Sequence, residues 1–267
     1  MIKDESDVYM FSEERQQKIS ELLKEKSSLK VSALAEIFNI SESTIRRDLQ
    51  EMEQKGLLTR THGGAVSVQG TSFEPSFKQK EIEEHEQKVA IAKIATSMIK
   101  DGDTIILDSG TTTLEIAKHI QVNQVTVITN SIDIAAVLSN NDKVDLIVTG
   151  GSMRTTTRAM VGHITENTLK NFRVDKAFIG ANGVSIEEGI TTPNFTEAQT
   201  KRAMMNVANK VIIVADNSKF NKVCFSVISP IRVVSSIITS EELDKEILKD
   251  FENAGVEIII QENKQEG

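Results

Sequence analysis

The chain has 267 residues, of which 39% are hydrophobic and 26% charged, with a net charge of -8. At roughly 150 residues per domain this length predicts two domains with a real core, and the balance excludes wholesale disorder. One cysteine, Cys224, excludes an internal disulfide framework and a multi-cysteine metal site and fits a reducing cytoplasm. Aromatics at 4% with no tryptophan argue against a single-strand nucleic-acid binder, which needs stacking platforms. No apolar run approaches the length of a membrane span, and Met1 to Met10 carry Lys3, Asp4, Glu5 and Asp7 without the apolar segment of a secretory signal. A cytoplasmic protein with no membrane partner is expected.

Taken in chain order, residues 1–11 read as a flexible amino terminus. From Ser12 to Val66 three short helical periodicities follow one another. Ile19, Leu22 and Leu23 mark a first helix, and Val31, Leu34, Ala35 and Phe38 mark a second at spacings of three, four and seven. Asn39 and Ile40 make a tight connection, and Ser41 is placed to cap a third helix, which completes a helix-turn-helix. On a wheel of that third helix Ile45, Leu49 and Met52 face the core, Ser43, Arg47, Gln50 and Gln54 lie opposite, and Thr44 and Arg46 sit on the flanks. A helix in the major groove reads bases with outward residues near its start. Ser43 and Arg47 are therefore the expected base readers, with Gln50 as an additional one, and Thr44 and Arg46 the expected phosphate contacts. Gly56 ends the helix, and Leu57 to Thr61 and Ala65 to Val68 read as two strands of a wing joined by His62, Gly63 and Gly64. Arg60 and His62, two apart on a strand, share a face that can touch the DNA backbone or the minor groove. Between Ser12 and Val66 nine basic residues stand against nine acidic ones, so only the distribution of charge supports DNA binding. On pattern alone a helical bundle that docks a protein partner remains the alternative.

Residues 67–86 are polar and irregular, with Gly70 and Pro75, and read as a linker with a connecting helix that serves as the hinge. Residues 87–262 alternate apolar runs of strand length with amphipathic stretches of helix length, which predicts a mostly parallel, Rossmann-like α/β domain covered on both faces. Residues 263–267 form a tail. The first strand, Thr104 to Leu107, delivers Asp108, Ser109, Gly110, Thr111, Thr112 and Thr113 to a helix start, where free N–H groups, the helix dipole and hydroxyls make an anion site. Ordinary helix capping is the dull alternative. Neither GxxxxGK[ST] nor GxGxxG occurs, so no nucleotide cofactor is expected. Asn130, Gly151 with Arg154, and Asn182 with Gly183 follow later strands and should converge with that loop, as ligands of open parallel sheets bind outside the carboxyl ends of strands. Lys201 and Lys219 are candidate cations for a phosphate, although Glu197 and Lys201 are also an ordinary i,i+4 pair. Asp108 would repel a phosphate and is assigned to sugar hydroxyls or to holding the loop. The four histidines, His62, His85, His119 and His163, are too dispersed to predict a metal site.

The run SALAEIFNISESTIRRDLQEMEQKGLLTRTHGGA, with its TIRRDL, GLL and HGGA segments, resembles the DNA-binding module of the DeoR family of bacterial transcriptional regulators. DSGTTT, TGG with Arg154, GANG, GITTPN and ADNSKF resemble that family's effector domain, whose fold is similar to ribose-5-phosphate isomerase. The resemblance implies an operator-binding repressor of double-stranded DNA, oligomeric, that senses a phosphorylated sugar or polyol, with the effector residues those named above, Glu197 included. An active sugar-phosphate isomerase fused to a helix-turn-helix is the alternative. In the similar isomerases an aspartate occupies the position of Asn182, and an amide cannot accept the proton that isomerisation moves; Glu197 is the remaining base. No catalytic residue is therefore expected.

Overall fold

The computed structural model describes residues 10–26, 28–55, 57–61, 63–67, 72–240 and 243–260. The chain divides into two units with the boundary between Gly70 and Thr71. The first contains α1 (Ser12–Lys26), β1 (Ser28–Lys30), α2 (Val31–Phe38), α3 (Glu42–Gln54), β2 (Leu58–Thr61) and β3 (Gly64–Ser67). Its core gathers one stripe from each helix: Ile19 and Leu23 from α1, Leu34 from α2, and Ile45, Leu49 and Met52 from α3, all at most 1% exposed. The expected tight connection is a left-handed Asn39 at φ 51°, the conformation that asparagine tolerates best after glycine. Ser41 then caps α3, its Oγ accepting from the Thr44 N–H at 3.3 Å.

The wing differs from the expected two strands. The three strands run in the order β1-β3-β2, all antiparallel, because Ser28 to Lys30 add to the free edge of β3. Gly64 permits this: a Cβ there would lie 2.0 Å from the Leu29 carbonyl oxygen. Gly56, His62 and Val68 lie outside the described residues.

The second unit runs α4 (Phe77–Ile82), α5 (His85–Ser97), β4 (Thr104–Leu107), α6 (Thr111–Lys118), β5 (Val125–Thr129), α7 (Ile132–Leu138), β6 (Val144–Val148), β7 (Ser152–Arg154), β8 (Ala159–Val161) and α8 (His163–Leu169). It continues through β9 (Val174–Gly180), β10 (Gly183–Ser185), β11 (Gly189–Thr192), α9 (Phe195–Asn206), β12 (Ala208–Val214), β13 (Ser226–Ser229), β14 (Ser236–Ile238), α10 (Lys245–Asn253) and β15 (Ile258–Ile259). Among the described residues seven strands form one parallel sheet, ordered β15-β14-β12-β9-β4-β5-β6. Central strands of such a sheet are covered on both faces, and Ile105, Ile106 and Leu107 of β4 are all fully buried. Their side chains alternate, Ile106 packing in one core layer and Ile105 and Leu107 in the other.

From β4 the chain winds outward through β5 and β6, then returns to β9 on the other side of β4 and winds away through β12, β14 and β15. The order therefore reverses between β4 and β9, and a crevice opens at the carboxyl ends of those strands. A hairpin, β7-β8, and a small antiparallel sheet, β10-β11-β13, complete the unit.

The stretch read as a linker is structured from Glu74 onward as part of this unit. Ser76 and Gln79 form a capping box on α4, and Phe77, 5% exposed, packs into the core layer that holds Ile105. One buried aromatic in a polar run carries no period, which is why composition suggested a linker.

Candidate functional site

In the first unit Ser43, Arg46, Arg47 and Gln50 of α3 are exposed and Thr44 is half-buried. Ser41 Oγ lies 2.8 Å from Ser43 Oγ and 2.9 Å from Thr44 Oγ1, so three hydroxyls cluster at the start of the helix. Each cation on this surface has a carboxylate beside it. Arg46 bonds Glu42 at 3.1 Å, Arg47 lies 3.7 Å from Glu51, and Arg60 bonds Glu53 at 3.0 Å. Exposed pairs of this kind are worth about 0–1 kcal/mol, so a phosphate or a base edge can displace them at little cost. Arg47 is the freest, with its side chain 83% exposed. Arg60 also fastens the wing to α3, because Glu53 accepts from its main-chain N–H at 2.8 Å. His62 lies outside the described residues.

In the second unit the crevice at the strand reversal is a cleft of about 670 Å³, part of it open to solvent. Of the residues singled out in the sequence, Ser109, Gly110, Thr111, Thr112, Thr113, Asn182, Glu197, Lys201 and Lys219 line it. Gly110 precedes α6 with no side-chain cap, and Gly110 to Thr113 line the cleft, so the helix start, whose first N–H groups have no intrahelical partner, lies at the cleft wall. Thr113 is not a free donor, since its hydroxyl bonds the Asp108 and Gly110 carbonyls. Asn194 caps α9 through the Glu197 N–H at 3.1 Å and so sets Glu197 in the first turn.

The other predicted residues support the cleft from outside its lining. Asp108 is 1% exposed; its Oδ2 accepts from the Lys201 ammonium and, at 3.1 Å, from the Gly180 N–H. Asn130 fixes the loop by accepting from the Ser109 N–H and donating to the Met160 carbonyl, both at 2.9 Å. Gly151 and Gly183 are sites of close packing, where a Cβ would meet Thr165 Oγ1 at 2.2 Å and the Lys222 carbonyl at 2.4 Å. Arg154 is engaged by two carboxylates, Glu74 and Glu197.

Sequence reasoning missed Glu74, Phe77, Lys80, Glu83, Lys88, Thr157 and Asp216, which also line the cleft. The lining is balanced, with Lys80, Lys88, Lys201 and Lys219 against Glu74, Glu83, Glu197 and Asp216, so placement and not net charge decides what can bind. Lys80 bonds Glu74 at 3.0 Å, Lys201 bonds Asp108, and Lys219 lies 3.6 Å from Asp216. The Lys88 ammonium instead donates to the main-chain carbonyls of Lys80 and Glu83. Burial pushes the Lys88 pKa down, opposed by the charge of Asp216.

A winged helix-turn-helix unit followed by an α/β unit with a polar cleft at its strand reversal defines a DNA-binding regulator with a sensor domain. Residues 15–71 match the family model described as DeoR-like helix-turn-helix domain, and residues 83–241 match that described as DeoR C terminal sensor domain. The chain belongs to the DeoR family of HTH-type transcriptional regulators, and as such is a DNA-binding regulator and not an enzyme. It is 38% identical over 249 residues to the uncharacterized HTH-type transcriptional regulator YulB of Bacillus subtilis, covering 93% of this chain and 96% of that one. It is 36% identical to the HTH-type transcriptional regulator GlpR of Haloferax volcanii, over 94% of this chain and 98% of that one. It is 35% identical to the putative aga operon transcriptional repressor of Escherichia coli O157:H7, over 92% and 93% respectively. Among solved structures, ribose 5-phosphate isomerase A from Methanocaldococcus jannaschii matches at 20% identity over 52% of this chain and 55% of that one, with a TM-score of 0.38. Among the described residues no helix is long and apolar enough to cross a membrane.

Proposed function

We propose that this regulator is a cytoplasmic, homo-oligomeric repressor of a carbohydrate-utilisation operon, relieved when a phosphorylated sugar or polyol enters the cleft. The observation that carries the reading is the start of α6: an uncapped helix terminus of Thr111, Thr112 and Thr113 lining a cleft at the reversal of a parallel sheet. A phosphate there would take the free N–H groups and the Thr112 hydroxyl, the Thr111 hydroxyl donating to the Lys80 carbonyl at 3.4 Å, with Lys88 and Lys219 supplying charge. Asn182, Glu197 and Lys201, which also line the cleft, are suited to sugar hydroxyls. Repression is supported by the name of the relative described as a putative aga operon transcriptional repressor.

Two substitutions test the two ends. Arg47→Ala should lose about 1–3 kcal/mol of affinity for the operator and much less for random DNA, as a base-reading arginine would. Equal losses on both DNAs, measured by titration with DNA from upstream of its own gene, would remove Arg47 from base recognition. Thr112→Glu should retain operator binding and abolish the ligand response, taking a coupling of roughly 5–150-fold to none. A retained response to a panel of sugar and polyol phosphates would take the α6 terminus out of the site.

A further inference from the structure

The turn between β7 and β8 holds two things at once. On one side it grips the segment by which the chain enters the second unit: Arg154 Nη1 donates to Glu74 Oε2 at 2.9 Å, the Thr156 carbonyl accepts from the Phe77 N–H at 2.9 Å, and the Arg158 guanidinium lies 5.8 Å from the centre of the Phe77 ring. On the other side it grips the cleft: Arg154 Nη1 and the Thr157 hydroxyl both donate to Glu197 Oε1. The Glu74 and Glu197 side chains are each 5% exposed, and Arg154 with Lys80 balances them into a neutral cluster. The turn itself is tight. Arg158 donates its N–H to the Arg154 carbonyl at 2.7 Å and is held at φ 56°, a left-handed conformation that costs a residue with a side chain and persists only when its surroundings impose it.

We propose that Arg154 is a positioning residue that transmits occupancy of the cleft to the segment by which the chain enters the second unit, by sharing one guanidinium between Glu197 and Glu74. This rests on the sensor reading above. A ligand hydroxyl that donates to Glu197 competes with Arg154 and Thr157 for the same carboxylate oxygen. Arg154, which the ligand-free protein shares between both carboxylates, is then left to Glu74 alone, the turn resets, and the segment from Glu74 to Phe77, which leads along the chain to the DNA-binding unit, changes its hold on the sensor. Differential bonding of one half-buried cation in the two states supplies the coupling that a ligand without such a difference cannot produce. Arg154 thereby acts through Glu197 and not as a ligand contact, in keeping with its place outside the cleft lining.

The experiment uses the full chain and the variants Arg154→Gln and Glu74→Gln. Without ligand, hydrogen exchange at residues 72–82 should be at least about tenfold faster in either variant than in the parent, and in the double variant faster by less than the product of the two effects, because the Arg154–Glu74 pair is the bond both substitutions remove. Unchanged exchange overturns the relay. With ligand, operator affinity is measured with and without a saturating concentration of ribose 5-phosphate, fructose 1-phosphate or glycerol 3-phosphate. The ratio in Arg154→Gln should fall to below about twofold while calorimetry still registers the ligand. A parent-sized ratio in Arg154→Gln overturns the proposal. A parent protein that binds none of these probes defeats the sensor reading instead, and with it the relay that rests on it, whereas unchanged ligand-free exchange overturns the relay alone.

Discussion

Lys201→Met should destabilise the sensor unit by about 3–5 kcal/mol, the usual cost of removing one partner of a buried ion pair. Lys201 is 4% exposed on α9, and its ammonium bonds Asp108 and, at 3.0 Å, the Gly180 carbonyl. It thus ties the end of β4 to the end of β9, the two strands between which the sheet reverses. Asp108 has little else. Its Oδ1 is buried without a hydrogen-bond partner among the described residues, and only the Gly180 N–H would still support Oδ2. Burial pushes the Asp108 pKa up and Lys201 opposes that rise. A carboxyl whose pKa is raised on folding is a stabilising choice only while protonated. Its contribution is present below the unfolded-state pKa and is lost as the pH rises through the folded one. Without Lys201 the folded pKa moves higher still, so the penalty should be small in acid and grow toward neutrality. Urea unfolding of Lys201→Met at pH 5 and pH 8 reads this directly, with the larger loss at pH 8. The double variant Asp108→Asn, Lys201→Met should recover much of the loss, since an amide carries no charge to strand. An equal penalty at both pH values would show that packing of the lysine stem, and not the charge of Asp108, sets the cost.

That pair also marks where reading the sequence runs out. The faces of α3 were legible because a helix repeats every 3.6 residues, and Ile45, Leu49 and Met52 obey that period. The parallel strands were legible because burial on both faces makes continuous apolar runs, as in β4 and in Val211 to Val214 of β12. β1, β7, β8 and β10 were not, since three residues carry no period. At the cleft, the loop from Asp108 to Thr113 was visible as a glycine and hydroxyls between a strand and a helix. Glu74, Lys80 and Glu83 were not visible, because they reach the cleft from a polar stretch whose one buried apolar side chain among the described residues is Phe77, nor was Lys88, a buried cation at the start of α5. Partnership at long range is equally hidden. Lys201 read as a cation for the phosphate, or else as a helix partner of Glu197 four residues away, whereas it bonds Asp108, and Glu197 bonds Arg154 and Thr157.

The same blindness applies to Asp48, an acid on an otherwise polar stretch of α3 that the fold buries to 3% exposure. Arg15 of α1 grips it with two nitrogens, Nε at 2.5 Å and Nη2 at 3.0 Å, and Ser12 Oγ donates to it at 2.8 Å. A forked arginine on one carboxylate fixes angle as well as distance, so this pair sets how α1 lies against the helix that carries Arg47. Asp48→Ala should cost about 3–5 kcal/mol, because it leaves a cation in a site 7% exposed with no carboxylate to answer it. A unit this small has a total stability of the order of 5 kcal/mol, so the loss should leave a large fraction unfolded and weaken operator binding in proportion. Asp48 is buried and cannot touch a base, which separates its effect from that of Arg47. The double variant Arg15→Met, Asp48→Leu removes both charges and fills the space with apolar groups. It should regain most of the stability and, with it, operator affinity, whereas no second substitution in the core should restore affinity to Arg47→Ala. Thermal melting of the four proteins beside a DNA titration distinguishes the cases: affinity that follows stability across the set supports a positioning role for the pair. An Asp48→Ala protein as stable as its parent, yet unable to bind the operator, would instead put Asp48 at the DNA.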